Sequence, residues 1–142
     1  MENRYLFRGK RIDNGEWEIG SLIALPDGKF EIANKCENPP DSDPMWGKCV
    51  ITHEIDPSTI CQCTGRIDRD KTLIFEHDVV AYLDTYSTEN GQAEADCVGE
   101  VVWDEETLSF QVTNRLSAES WEVLDEECQV LGNTIGNPEL LK

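Results

Sequence analysis

The stretch Tyr5-Leu6-Phe7-Arg8-Gly9-Lys10-Arg11-Ile12-Asp13-Asn14-Gly15-Glu16-Trp17-Glu18-Ile19-Gly20-Ser21-Leu22-Ile23 decides the fold class. Two apolar runs flank Asn14-Gly15, a pair that tolerates positive φ at both residues, and this pattern is the strongest short-range signal for a β-hairpin. Pro26-Asp27-Gly28 supplies a second turn, after which Phe30-Glu31-Ile32-Ala33 alternates as a half-buried strand requires. The amino-terminal lobe, residues 1–62, therefore reads as a β-meander. The pattern breaks between Asn34 and Gly47, where Asn38-Pro39-Pro40-Asp41-Ser42-Asp43-Pro44 opposes regular structure and reads as a surface loop. Val50-Ile51-Thr52 resumes an apolar run, Ile55-Asp56-Pro57-Ser58-Thr59 turns, and Ile60 to Thr64 reads as another strand.

The second lobe, residues 63–142, is more regular. Leu73-Ile74-Phe75, Val79-Val80-Ala81-Tyr82-Leu83, Val98-Gly99-Glu100-Val101-Val102-Trp103 and Leu108-Ser109-Phe110-Gln111-Val112 are short β-branched and aromatic runs. A polar insertion from Asp84 to Asp96 and a turn at Asp104-Glu105-Glu106 separate them. Strands at this spacing predict a small antiparallel barrel of the SH3-like kind. Leu116, Trp121, Val123 and Leu124 have an ambiguous spacing, and with Ser117 as a capping residue they allow one short helix from Ser117 to Glu127. Gln129-Val130-Leu131-Gly132 reads as a closing strand. Asn137-Pro138-Glu139-Leu140-Leu141 reads as one helical turn, with Asn137 capping and Pro138 at the first helical position. At 142 residues the chain has room for one core and not for two ordinary domains, so a single mainly β domain of two lobes is expected.

Twelve Lys and Arg stand against 29 Asp and Glu, a net charge of −17. Affinity for nucleic acid comes mostly from cationic contacts that release counterions, so direct DNA or RNA binding is disfavoured. The same acidity suits a basic protein partner or mimicry of nucleic acid. Arg4, Arg8, Lys10 and Arg11 form the one basic stretch, and it reads as a solvated strand edge rather than a binding patch. No apolar run follows Met1, and nothing approaches the ~20 apolar residues that span a bilayer. A soluble protein of the cytoplasm is expected, its six cysteines reduced.

Several blocks together carry a family resemblance. Leu6-Phe7-Arg8-Gly9-Lys10 followed by Gly15-Glu16-Trp17-Glu18-Ile19-Gly20-Ser21-Leu22-Ile23 resembles the amino terminus of the YopX family. Gln62-Cys63-Thr64-Gly65 through Asp68, with Ile74-Phe75-Glu76-His77-Asp78-Val79-Val80, is similar to its central segment. Gly99-Glu100-Val101-Val102-Trp103 and Val130-Leu131-Gly132-Asn133-Thr134-Ile135-Gly136-Asn137-Pro138-Glu139-Leu140-Leu141 follow in the family's order. The resemblance implies a phage or prophage origin and a mainly β fold, and it supplies no activity, catalytic residue or cofactor. Gly65, Asp78, Gly132, Asn133, Asn137 and Pro138 are the structural candidates within these blocks. Two positions depart from the pattern: Lys71 stands where the family usually has a turn glycine, and His77 where it usually has a glycine before Asp78. Lys and His take positive φ less readily than Gly, so reshaping of one or both turns is expected.

The residue types that carry chemistry are present in weak patterns. Cys61 and Cys63 are separated by one residue, whereas structural zinc wants close pairs two to four apart, so buried small hydrophobes are the simpler reading. Asp41-Ser42-Asp43 and Asp68-Arg69-Asp70 lack the Gly and distal Glu of a calcium loop and read as turn carboxylates. His77 beside Asp78 suggests an acid-base pair, but neighbouring side chains on a strand point to opposite faces. Asp78, at a strand start after a turn, is expected to accept backbone N–H groups. Trp17, Trp103 and Trp121 read as core, while Trp46, beside Met45 in the irregular loop, is the candidate contact residue. No metal, cofactor or catalytic residue is assigned. The expected function is that of a non-enzymatic accessory protein that binds a phage or host protein, or another copy of itself. The alternative is an acidic small-barrel protein associated with nucleic acid or mimicking DNA.

Overall fold

A computed structural model describes residues 3–35, 50–113, 121–123 and 127–141. Trp46, the Asp41–Asp43 turn, Cys36 and Cys49 lie outside them. By internal contacts the chain divides into two compact units, Arg4–Gln62 and Cys63–Lys142 with Met1–Asn3.

In the first unit, β1 (Phe7–Lys10), β2 (Trp17–Ala24), β3 (Phe30–Lys35) and β4 (Val50–Ile55) form the antiparallel meander that the turn signals predict. Arg11 N–H donates to Glu16 O at the first turn and Leu25 N–H to Lys29 O at the second. β5 (Cys61–Ile67) lies on the other side of β1, with Phe7 opposite Gln62 and Arg8 opposite Cys61. β1 is thus an interior strand, which corrects the expectation of a solvated basic edge. Arg8 is 9% exposed, and its guanidinium stands 4.9 Å from the Trp17 ring centroid, with Lys10 Nζ at 5.5 Å. Positions i and i+2 of β1 share a face, and Trp17 sits opposite Lys10 on β2, so the pairing aims both cations at one indole. The far end of β4 bridges back to Arg11 through Ile55, and Ile12 N–H donates to Glu54 O. Ile32 and Ile55 are fully buried in this unit.

In the second unit, β6 (Leu73–Phe75) pairs with the later residues of β5. Gly65, with φ 85°, lies where that pairing shifts register between Cys63 and Ile67, a bulge whose left-handed backbone favours glycine. The main sheet consists of β7 (Asp78–Thr88), β8 (Gly91–Asp104), β9 (Ser109–Thr113), β10 (Trp121–Val123) and β11 (Gln129–Asn133), in the order β10-β9-β8-β7-β11. The SH3-like barrel reading corresponds to this sheet, whose end strands β10 and β11 do not pair with each other among the described residues. Where the sequence allows a short helix, Trp121–Val123 instead pairs with β9. The polar insertion Asp84–Asp96 extends β7 and β8 as a two-stranded ribbon, because Thr88 Oγ1 and Gly91 close a tight turn and the register continues from Leu83–Asp96 to Thr88–Gly91. Ile74, Val80, Val101, Val112 and Cys128 form the core, with Tyr82, Phe110 and Val130 packed on it. Each such Val or Ile contributes about 1.5–3 kcal/mol by leaving water.

Candidate functional site

The turns of the second unit gather its polar side chains. Asp68 is 4% exposed and closes the loop between β5 and β6. Its Oδ1 accepts from the N–H groups of Asp70 and Thr72 at 2.9 and 2.8 Å, and its Oδ2 from Val130 N–H at 2.9 Å. Burial pushes this carboxyl up, but the donors from Val130, Thr72 and Asp70, helped by Arg69, hold it below the ordinary aspartate value. The Asp68-Arg69-Asp70 stretch is therefore a turn built on a carboxylate that ties the loop to β11. Lys71 closes the same loop at φ 65°.

Asp78 is 1% exposed, and its Oδ2 accepts from Phe75 N–H at 2.8 Å across the turn between β6 and β7. His77 sits in that turn at φ 70°. Both turns thus hold a Lys or His in the left-handed backbone that glycine favours. The reason is hydrogen bonding on both sides of the backbone: His77 N–H donates to Val101 O at 2.7 Å and His77 O accepts from Thr134 N–H at 2.9 Å. These bonds anchor the turn to β8 and to the segment after β11.

The His77 side chain meets Glu100. His77 Nδ1 lies 3.0 Å from Glu100 Oε2, and Thr134 Oγ1 donates to the same oxygen at 3.0 Å. Glu100 is mostly buried, with its side chain 14% exposed, while that of His77 is 39% exposed. Here the histidine and the hydroxyl both meet one carboxylate oxygen, so the cluster ties the turn before β7, β8 and the segment after β11 together. The sequence offered His77 and Glu100 without linking them, since 23 positions separate them and only the β7–β8 register brings them close.

Gly132 pairs with Val79, and a side chain there would come within 2.7 Å of Asn137 Oδ1 and 2.8 Å of Leu140 Cδ1, so glycine lets these two side chains lie against the strand without shifting. Asn133 Oδ1 accepts from Gly136 N–H, and Asn133 O from Asn137 N–H, both at 2.7 Å. Asn137 leads into a 3-10 helix at Pro138–Leu141, and Leu140 N–H donates to Asn137 O. Cys61, Cys63 and Cys128 are buried thiols. No group of three or more metal-ligating side chains occurs among the described residues, and no helix there is long and apolar enough to cross a membrane. A concavity of about 360 Å³ over β7 and β8 is lined by Arg69, Leu83, Asp96, Val98 and Gln129, and Arg69 Nη2 is bound to Gln129 Oε1.

The apolar surface is where the sequence misleads. Trp103, which reads as core, is 42% exposed, with its ring edge-on to Phe110 at a centroid separation of 5.0 Å. Leu108, which reads as the first residue of a strand, lies in the turn before β9 at φ 54° and is 72% exposed. Val50 and Ile51, at the start of β4, are 61% and 44% exposed.

Compared with known proteins, the chain matches the family model described as YopX protein over residues 6–142. Among solved structures it is similar to the crystal structure of protein EF1440 from Enterococcus faecalis, at 21% identity and a TM-score of 0.47, with 96% of each chain covered. No curated protein matches it.

Proposed function

The chain belongs to the YopX family, and we propose that it works as a non-enzymatic accessory protein of a phage or prophage that binds another protein. One observation carries the reading: large apolar side chains stand exposed at strand ends, Trp103 and Leu108 at one hairpin and Val50 and Ile51 at β4. A few large anchors, Trp above all, supply most of the energy of protein interfaces, and the flanking apolar side chains help to exclude water around them. The polar clusters at Asp68 and at His77–Glu100–Thr134 meanwhile serve the turns. Affinity capture from the producing cells tests the proposal, with an unrelated protein of equal negative charge as control. A partner retained by this chain and not by the control is expected; recovery indistinguishable from the control refutes it.

The net charge of −17 favours a second reading, in which surface carboxylates occupy the basic groove of a DNA-binding protein. That reading requires captured partners that DNA displaces.

A further inference from the structure

We infer that the β8–β9 hairpin end is a preformed docking knob, with Leu108 and Trp103 as its anchors, for the apolar face of an amphipathic helix on a partner protein whose polar face carries Lys and Arg. The inference rests on the protein-binding reading above and assigns it a surface and a partner chemistry.

Leu108 is the starting point. A left-handed conformation is strained for a bulky L-residue, and at 72% exposure the side chain recovers little of that cost by burial. Backbone strain of this kind persists only where the surroundings over-determine it. They do so here: Asp104 Oδ1 accepts from Glu106 N–H at 3.1 Å, its Oδ2 accepts from Thr107 Oγ1 at 2.8 Å, and Thr107 Oγ1 lies 2.8 Å from Ser109 Oγ. Gln111 Nε2 donates to both hydroxyls. The turn is therefore held rigid while it presents an apolar side chain to solvent. Trp103 and Phe110 face each other in register two residues away, so a second large anchor is fixed at the same end of the hairpin. Preorganised anchors lose little conformational entropy on binding.

Charge selects the occupant. Glu105 and Glu106 are exposed beside Leu108, and the whole chain carries −17. A second copy would bring like charge against like charge, whereas an amphipathic helix with a Lys and Arg polar face is complementary and would be steered toward the knob.

The test uses two synthetic 15-residue amphipathic helical peptides with identical leucine faces, one with a lysine polar face and one with a glutamate polar face. Fluorescence anisotropy at physiological salt measures binding to the full chain. Saturable binding of the lysine peptide alone is expected. Leu108→Gly should weaken it roughly tenfold or more, as truncating an interface anchor does, and Glu105→Gln/Glu106→Gln should weaken it less. Glycine is at home at φ 54°, so loss of binding by Leu108→Gly cannot be ascribed to misfolding. The inference is overturned if the lysine peptide does not saturate, if Leu108→Gly binds like the parent, or if the glutamate peptide binds equally well. A partner captured from cells that Leu108→Gly still retains would leave the protein-binding reading standing and move the contact elsewhere; failure of capture as well would remove both.

Discussion

Replacing Lys71 by glycine should make the protein more stable. Lys71 closes the Asp68 loop at φ 65°, its N–H donating to Asp68 O at 3.0 Å, and its side chain is exposed. The left-handed backbone costs an L-residue about 1–2 kcal/mol, whereas glycine loses about 0.5–1 kcal/mol more than alanine in chain entropy on folding. The difference leaves a net gain of about 0.5–1 kcal/mol for Lys71→Gly. For a chain of this length each kcal/mol moves the melting midpoint by about 2–4 °C, so a rise of about 1–4 °C is expected. Removing the lysine also adds to the negative excess, and Lys71→Ala has the same charge without the backbone relief. The comparison that isolates strain is therefore glycine against alanine, read from urea midpoints at a constant m-value. A glycine variant no more stable than the alanine variant would refute the reasoning, because it would mean that the turn relaxes or that the positive φ carries no strain.

His77→Gly relieves the same strain at φ 70° but deletes the Glu100 hydrogen bond, worth about 0.5–1.5 kcal/mol. Its thermal midpoint should fall short of that of Lys71→Gly, and an equal gain would show that the His77–Glu100 contact contributes nothing. Asp68→Asn turns one of two accepting oxygens into a donor facing a backbone N–H, and should cost about 1–3 kcal/mol by urea unfolding at neutral pH. Because the folded Asp68 carboxyl lies below its unfolded value, its contribution is complete above roughly pH 4 and is lost as pH falls through the folded value. The deficit of Asp68→Asn should therefore shrink in acid; a deficit independent of pH would contradict the assignment. Ile74→Ala, in the centre of the second unit's core, should cost about 2–5 kcal/mol by the same assay, and a loss under 1 kcal/mol would place Ile74 outside that core.

The sequence by itself determined what rests on local chemistry. Asn14-Gly15 and Pro26-Asp27-Gly28 specify turns through their own backbone preferences, so the strands of the meander were legible around them. Alternation in Phe30–Ala33 marked which side chains face inward, and Asn137-Pro138 announced the terminal helical turn. Tertiary structure decided everything that depends on which strands become neighbours. β1 became interior once β5 paired with it, which buried Arg8 in a stretch that reads as exposed. The β7–β8 register joined His77 to Glu100, and the hydrogen bonds of Val101 and Thr134 held a non-glycine residue in a glycine conformation. Trp103 and Leu108 sit in apolar runs like those of the core, and only their place at the end of a hairpin turns them toward solvent. Apolar periodicity records which residues can be buried; the pairing of distant strands fixes which of them are.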